Sequence, residues 1–126
     1  MSHSQPALIP IYTTKGDAEA FLLYPYLFNR SGDWIGFVTP KREVYSILGN
    51  YVGTLTNDPR IVGKRATSTF KPRVKPPPKP QRVYPPGTIP LPPMMSDLST
   101  SVIDILLDAP ERLHTVDSGE NRQDMD

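Results

Sequence analysis

The sequence predicts an all-β protein: a small repeat domain of three to four β-hairpins, then a disordered proline-rich segment and a short C-terminal helix. Three observations carry that prediction. A twelve-residue pattern recurs within residues 11–55, ten of the sixteen prolines fall between positions 72 and 93, and apolar residues near the end recur at helical spacing. These features divide the chain into a repeat domain at 8–65, a basic linker at 66–95, an amphipathic helix at 96–109 and an acidic, disordered tail at 110–126.

The repeat is visible when three stretches are aligned: IYTTKGDAEAFL (11–22), LFNRSGDWIGFV (27–38) and VYSILGNYVGTL (44–55). Each opens on an aliphatic residue and an aromatic one, Tyr12, Phe28 or Tyr45. Each continues through a turn to Gly16, Gly32 or Gly49, followed by Asp or Asn. Each ends on a small residue (Ala20, Gly36, Gly53), a spacer and Leu22, Val38 or Leu55. Self-similarity at a fixed short period identifies a repeated folding unit. The loops TTKGD, NRSGD and SILGN match a type I turn closed by a G1 bulge, which places glycine at a positive φ. The Asp or Asn after the glycine suits the turn exit.

Alternation along the second strand of each copy assigns Ala18, Ala20 and Leu22, then Trp34, Gly36 and Val38, then Tyr51, Gly53 and Leu55 to the core face. Small residues at 20, 36 and 53 predict strands crowding together, as at a symmetry axis; the competing reading is that the glycine marks a bulge in each strand. PRIVGKR (59–65) aligns its Val-Gly pair with that of the third copy, which predicts a partial fourth copy with Gly63 in the small-residue column. The alternative is closure by residues 8–11. A domain of about 60 residues buries only about 60% of its unfolded surface and is marginal, and an open sheet exposes its edges. Ring closure or homo-oligomerisation resolves both.

These aromatic-x-x-x-Gly-[Asp/Asn]-x-x-[Ala/Gly]-x-[Leu/Val] units, followed by a basic proline-rich tail, resemble the bacterial four-fold β-flower domain. The resemblance covers about residues 9–65. It implies hairpin petals around a pseudo-four-fold axis and no defined chemistry.

Charge is segregated along the chain. Residues 1–56 are balanced, residues 57–93 carry eight bases and one acid, and residues 94–126 carry two bases and eight acids. Residues 71–93, KPRVKPPPKPQRVYPPGTIPLPP, have no helical or strand period, and proline blocks both structures. Disorder or local polyproline II is expected. Pro77, Pro80 and Arg82 satisfy PxxPxR, a groove-binding pattern; a solvated spacer is the competing reading. Lys64, Arg65, Lys71, Arg73, Lys75, Lys79 and Arg82 supply an alternative, contact with nucleic acid or another polyanion through the 64–82 segment. In the helix expected at 96–109, Leu98, Val102, Ile105 and Leu106 share one face, and Pro110 ends it. A helix of about 12 residues is marginal alone, so this face docks on its own domain or on a protein partner.

The chain has no cysteine, which excludes disulfides and thiol chemistry and fits a cytoplasmic setting. No secretory leader is read at the N-terminus, and no apolar run approaches the ~20 residues that span a bilayer. No catalytic, metal or cofactor constellation is present: His3 and His114 lie toward the ends, and a carboxylate pair across petals, such as Glu19 with Glu43, is the acid–base arrangement to test. No phosphate-binding glycine motif occurs. The expected function is therefore a non-enzymatic protein-interaction or scaffold module with a proline-rich tether and an unknown partner. A small-ligand site at the petal axis, lined by Tyr12, Phe28, Tyr45 and Trp34, is a further alternative.

Overall fold

The computed structural model describes residues 7–65 and 71–116. The parts of the expected linker at 66–70 and of the acidic tail beyond 116, with His3, lie outside the described residues. The strands are β1 (Ile9–Tyr12), β2 (Ala18–Leu23), β3 (Tyr26–Asn29), β4 (Trp34–Val38), β5 (Glu43–Ser46), β6 (Tyr51–Leu55), β7 (Ile61–Lys64) and β8 (Val102–Asp104). A single helical turn, α1 (Ile105–Asp108), and a 3-10 turn, Pro110–Arg112, follow. The eight strands form one curled antiparallel sheet in chain order.

The three glycine loops fold as their residues dictate. In each, the first residue's amide donates to the carbonyl of the fifth: Thr13 to Asp17 at 2.8 Å, Asn29 to Asp33 at 2.9 Å and Ser46 to Asn50 at 2.8 Å. Gly16, Gly32 and Gly49 have φ of 91°, 88° and 86°, a region that costs side-chain-bearing residues energy. A register shift follows each loop, between Ile11 and Tyr12, Leu27 and Phe28, and Val44 and Tyr45. The expected G1 bulge sits at the glycine itself, and this shift is a second bulge three residues further on, with Glu19, Ile35 or Val52 as the extra residue.

The bulge also corrects the face assignment. An extra residue reverses the alternation on its strand. Trp34 therefore lies opposite Phe28, and Tyr51 opposite Tyr45, both outside the core. Ile35 and Val52 turn inward instead and join the aliphatic cluster of Ile11, Ala20, Leu22, Leu27, Val38 and Val44. Cross-strand pairs share a face, so the rings form a separate outer layer. Phe21 pairs Phe28, Tyr26 pairs Phe37 and Phe37 pairs Tyr45. Phe37 and Tyr45 stack at 5.4 Å, and Tyr26 meets Trp34 edge-on at 6.2 Å. The four rings expected at the petal axis, Tyr12, Phe28, Tyr45 and Trp34, all belong to neighbours in the outer layer rather than to the aliphatic interior. At Gly36 the expected crowding is real: a Cβ would stand 2.4 Å from the Tyr45 carbonyl and 2.9 Å from Leu113.

The fourth hairpin differs from its expected alignment. Ile61 lies opposite Leu55, as Val44 lies opposite Val38 and Leu27 opposite Leu22. So β7 is the first strand of the fourth pair, not its second, and Gly63 faces Ile103. The second strand, β8, arrives only after residues 65–101. Among the described residues, 9–12 pair with no strand but β2. The two sheet ends meet through side chains instead: Asp104 Oδ2 accepts the Thr14 amide at 2.6 Å and the Thr14 hydroxyl at 2.8 Å.

The helix expected over 96–109 contracts to α1. The pairing of Val102–Asp104 with β7 satisfies backbone groups that an exposed β7 edge would leave open, and Thr14 engages the Asp104 carboxylate that would otherwise cap the helix. Ile105, Ala109 and Leu113 are buried in the aliphatic cluster, with Leu106 packed against it. The C-terminal segment thus closes the inner face of the sheet.

Candidate functional site

The outer aromatic layer is where the proline-rich segment lies. Tyr26 donates its hydroxyl to the Pro78 carbonyl at 2.7 Å, and Tyr12 donates to the Pro90 carbonyl at 2.6 Å. Lys71 Nζ stands 4.7 Å above the Tyr51 ring and 2.5 Å from Glu43 Oε2. The bond from Lys71, opposed by burial, holds the Glu43 carboxyl below its ordinary range, and the Lys71 ammonium is correspondingly raised. Tyr45 is shifted upward, first by burial and then by the nearby Glu43 charge.

The segment also touches the turns. The Val74 amide donates to the Gly49 carbonyl at 3.0 Å, and the Val83 amide to the Gly32 carbonyl at 3.1 Å. It therefore crosses the repeat in reverse order, third turn first. Its side chains follow a three-residue step. Val74, Pro77, Pro80 and Val83 are half-buried, and the step resumes at Ile89, Pro92, Met95 and Leu98. Three residues per turn is the period of a polyproline II helix, so one ridge faces the sheet.

The contacts make a testable demand at Gly32. A Cβ there would stand 1.8 Å from the Val83 carbonyl oxygen, whereas at Gly16 it would meet only Pro92 at 3.4 Å. Both turns have positive φ, so alanine at either costs about 1 kcal/mol or more. Only Gly32→Ala is expected to abolish hydrogen-exchange protection of the Val83 amide. Equal protection in Gly16→Ala and Gly32→Ala proteins would contradict this contact.

The structure distributes the sequence-predicted residues as follows. Pro77 and Pro80 belong to the half-buried ridge, with Pro80 bordering clefts formed with Tyr26, Phe28 and Trp34. Arg82 donates to the Ser31 carbonyl at 2.8 Å and lies 3.7 Å from Asp33. Leu98 is half-buried in the approach to β8, Val102 pairs with Lys64, and Ile105 is fully buried. Of the basic segment, Lys71, Arg73 and Arg82 already bond to the sheet and its turns. Glu19 pairs with Arg30 at 3.7 Å and Glu43 with Lys71, so each carboxylate has its own base. His114 lies beside Thr115. Among the described residues no group of three His, Asp or Glu is arranged to hold a metal ion, and no helix is long and apolar enough to cross a membrane.

Two signals for this site are present in the sequence. Apolar residues recur every third position through the segment, and the pair Arg-Val occurs at 73–74 and again at 82–83. No family model, curated protein or solved structure matches this chain.

Proposed function

We propose that this chain is a non-enzymatic protein-interaction module of the four-petal β-flower type, whose aromatic outer face takes polyproline-type segments and holds its own residues 71–93 in that role. The observation that carries the reading is the pair of tyrosine hydroxyls, Tyr12 and Tyr26, donating to the carbonyls of Pro90 and Pro78. Polyproline II lacks internal hydrogen bonds, so its carbonyls are free acceptors, and its stiffness lowers the entropy lost on docking. Aromatic grooves exploit both features. The equivalent pairs Leu22–Leu27, Val38–Val44 and Leu55–Ile61 support counting four petals. In this scheme the C-terminal residues complete the fold, and the proline-rich segment is an internal ligand as well as a tether.

The test keeps the chain at full length but replaces residues 71–93 with a glycine–serine segment of equal length. A synthetic 71–93 peptide is then titrated against it, with Trp34 fluorescence as the signal. Saturable binding is expected. Loss of both hydroxyls, Tyr12→Phe with Tyr26→Phe, is expected to weaken it about tenfold, as two net hydrogen bonds would. A folded glycine–serine protein that does not bind the peptide would end this reading.

A further inference from the structure

The proline-rich segment meets two turns in the same way. At the third loop, Val74 donates its amide to the Gly49 carbonyl, and Arg73 Nε donates to Asn50 Oδ1 at 3.1 Å. At the second, Val83 donates to the Gly32 carbonyl, while Arg82 bonds the Ser31 carbonyl and faces Asp33. In both, the valine carbonyl packs against the glycine so closely that a Cβ would lie 2.1 Å (Gly49) or 1.8 Å (Gly32) from its oxygen. Each turn thus supplies a carbonyl for the valine amide, a bare Cα for its carbonyl, and an Asn or Asp for the arginine. The two Arg-Val pairs are nine residues apart. Nine residues are three whole turns of polyproline II, so both pairs present the same face.

The next nine-residue step lands on Leu91–Pro92, at the first loop. Pro92 has no amide proton to give the Gly16 carbonyl, and its ring approaches the Gly16 Cβ position only to 3.4 Å. Leu91 is 91% exposed and carries no charge for Asp17. No described base lies within ion-pair distance of Asp17. Arg30 borders the same cleft as Asp17 and pairs with Glu19 instead. Gly16 is correspondingly half-exposed, where Gly32 and Gly49 are buried.

We propose that the three glycine turns are a ladder of clamps for Arg-Val pairs at a nine-residue pitch, and that the third clamp, at Gly16–Asp17, is kept for a proline-rich segment of another protein. Such a segment carries three Arg-Val pairs and displaces residues 71–93 by filling all three clamps. The proposal rests on the polyproline reading of the aromatic face and adds a register to it. The chain's own segment has the advantage of a tethered ligand, which the third clamp must offset. An arginine beside Asp17 supplies a charge-assisted bond, and a valine amide supplies the one that Pro92 lacks.

The probes are synthetic peptides titrated against the glycine–serine protein described above. One is the native 71–93 sequence. One carries Leu91→Arg and Pro92→Val. Two more carry those changes with a residue added or removed between the second and third pairs. The three-pair peptide is expected to bind about tenfold more tightly than the native one, the gain from roughly two added hydrogen bonds. One-residue shifts in the peptide should erase that gain, and Asp17→Ala in the protein, which removes the arginine's acceptor and leaves the valine amide its bond, should reduce it. No gain, a gain that survives the shifts, or a gain unchanged by Asp17→Ala overturns the ladder. If the native peptide binds normally without a gain, only the ladder fails; if it does not bind at all, the polyproline reading fails with it. Sedimentation of the unmodified protein supplies a last arm. A monomer that releases its segment to the three-pair peptide supports the proposal. A dimer that exchanges segments makes a second copy the occupant and overturns it.

Discussion

A chain ending at Arg65 is expected to lose its cooperative unfolding transition. Such a truncation keeps every residue of the visible repeat and removes β8, α1 and the segment to Leu113. Those elements contribute Ile103, Ile105, Ala109 and Leu113 to the aliphatic cluster, with Ile105 completely buried. Removing one buried Ile or Leu side chain costs about 2–5 kcal/mol. Net stability of a small domain is only about 5–15 kcal/mol, so the loss of three such side chains reaches that range. The truncation also opens the β7 edge and the inner face of the sheet, an invitation to aggregate. Thermal unfolding followed by circular dichroism is the measurement. A sharp transition in the truncated chain would show that residues 9–65 suffice. Ile105→Ala in the full chain is the milder companion, expected to remain folded and to lose about 2–5 kcal/mol.

Arg60→Ala is expected to be nearly as damaging, for an electrostatic reason. Arg60 is only 2% exposed and joins three parts of the chain. It pairs with Asp58 at 2.7 Å, bonds the Thr14 hydroxyl at 3.0 Å and the Ser96 carbonyl at 2.7 Å. Thr14 in turn bonds Asp104, so one guanidinium ties the β6–β7 loop to both ends of the sheet. Breaking a buried pair by removing one partner costs about 3–5 kcal/mol, since the other charge is left uncompensated. The pH dependence separates this from a packing loss. Burial opposes the charge on Asp58, but hydrogen bonds from Arg60 and Thr56 outweigh it and lower its pKa below the ordinary 3.8. A lowered folded-state pKa means that the unfolded chain binds the proton first. The Asp58 contribution is therefore present above pH 3.8 and lost as pH falls through the lower folded value. Urea midpoints of the two proteins should differ widely at pH 7 and draw closer below that window, the remaining gap being the bonds to Thr14 and Ser96. A gap independent of pH would point to packing alone.

How much of this was legible in the sequence depends on how local each cause is. The loops TTKGD, NRSGD and SILGN announced their turns because a positive φ at glycine is decided within five residues. The second bulge, on the strand after each loop, was harder to read. The bulge moves Trp34 and Tyr51 to the aromatic layer and brings Ile35 and Val52 into the core. Simple alternation has no place for that extra residue. The proline-rich segment was legible as polyproline material, and its PxxPxR motif was visible. That Pro77, Pro80 and Arg82 engage the chain's own sheet was not, because their partners lie some fifty residues away. Likewise Leu98, Val102, Ile105 and Leu106 have helical spacing, yet Val102 belongs to a strand.

What the sequence determined by itself is the repeated hairpin with its glycine turn, since backbone sterics and short hydrogen bonds act between near neighbours. Tertiary structure alone decided the rest: that β8 completes the fourth pair, that Ile105 and Leu113 fill the inner face, and that residues 71–93 cover the rings. Those choices are made by open strand edges and uncovered apolar surface, which exist only once the sheet has curled.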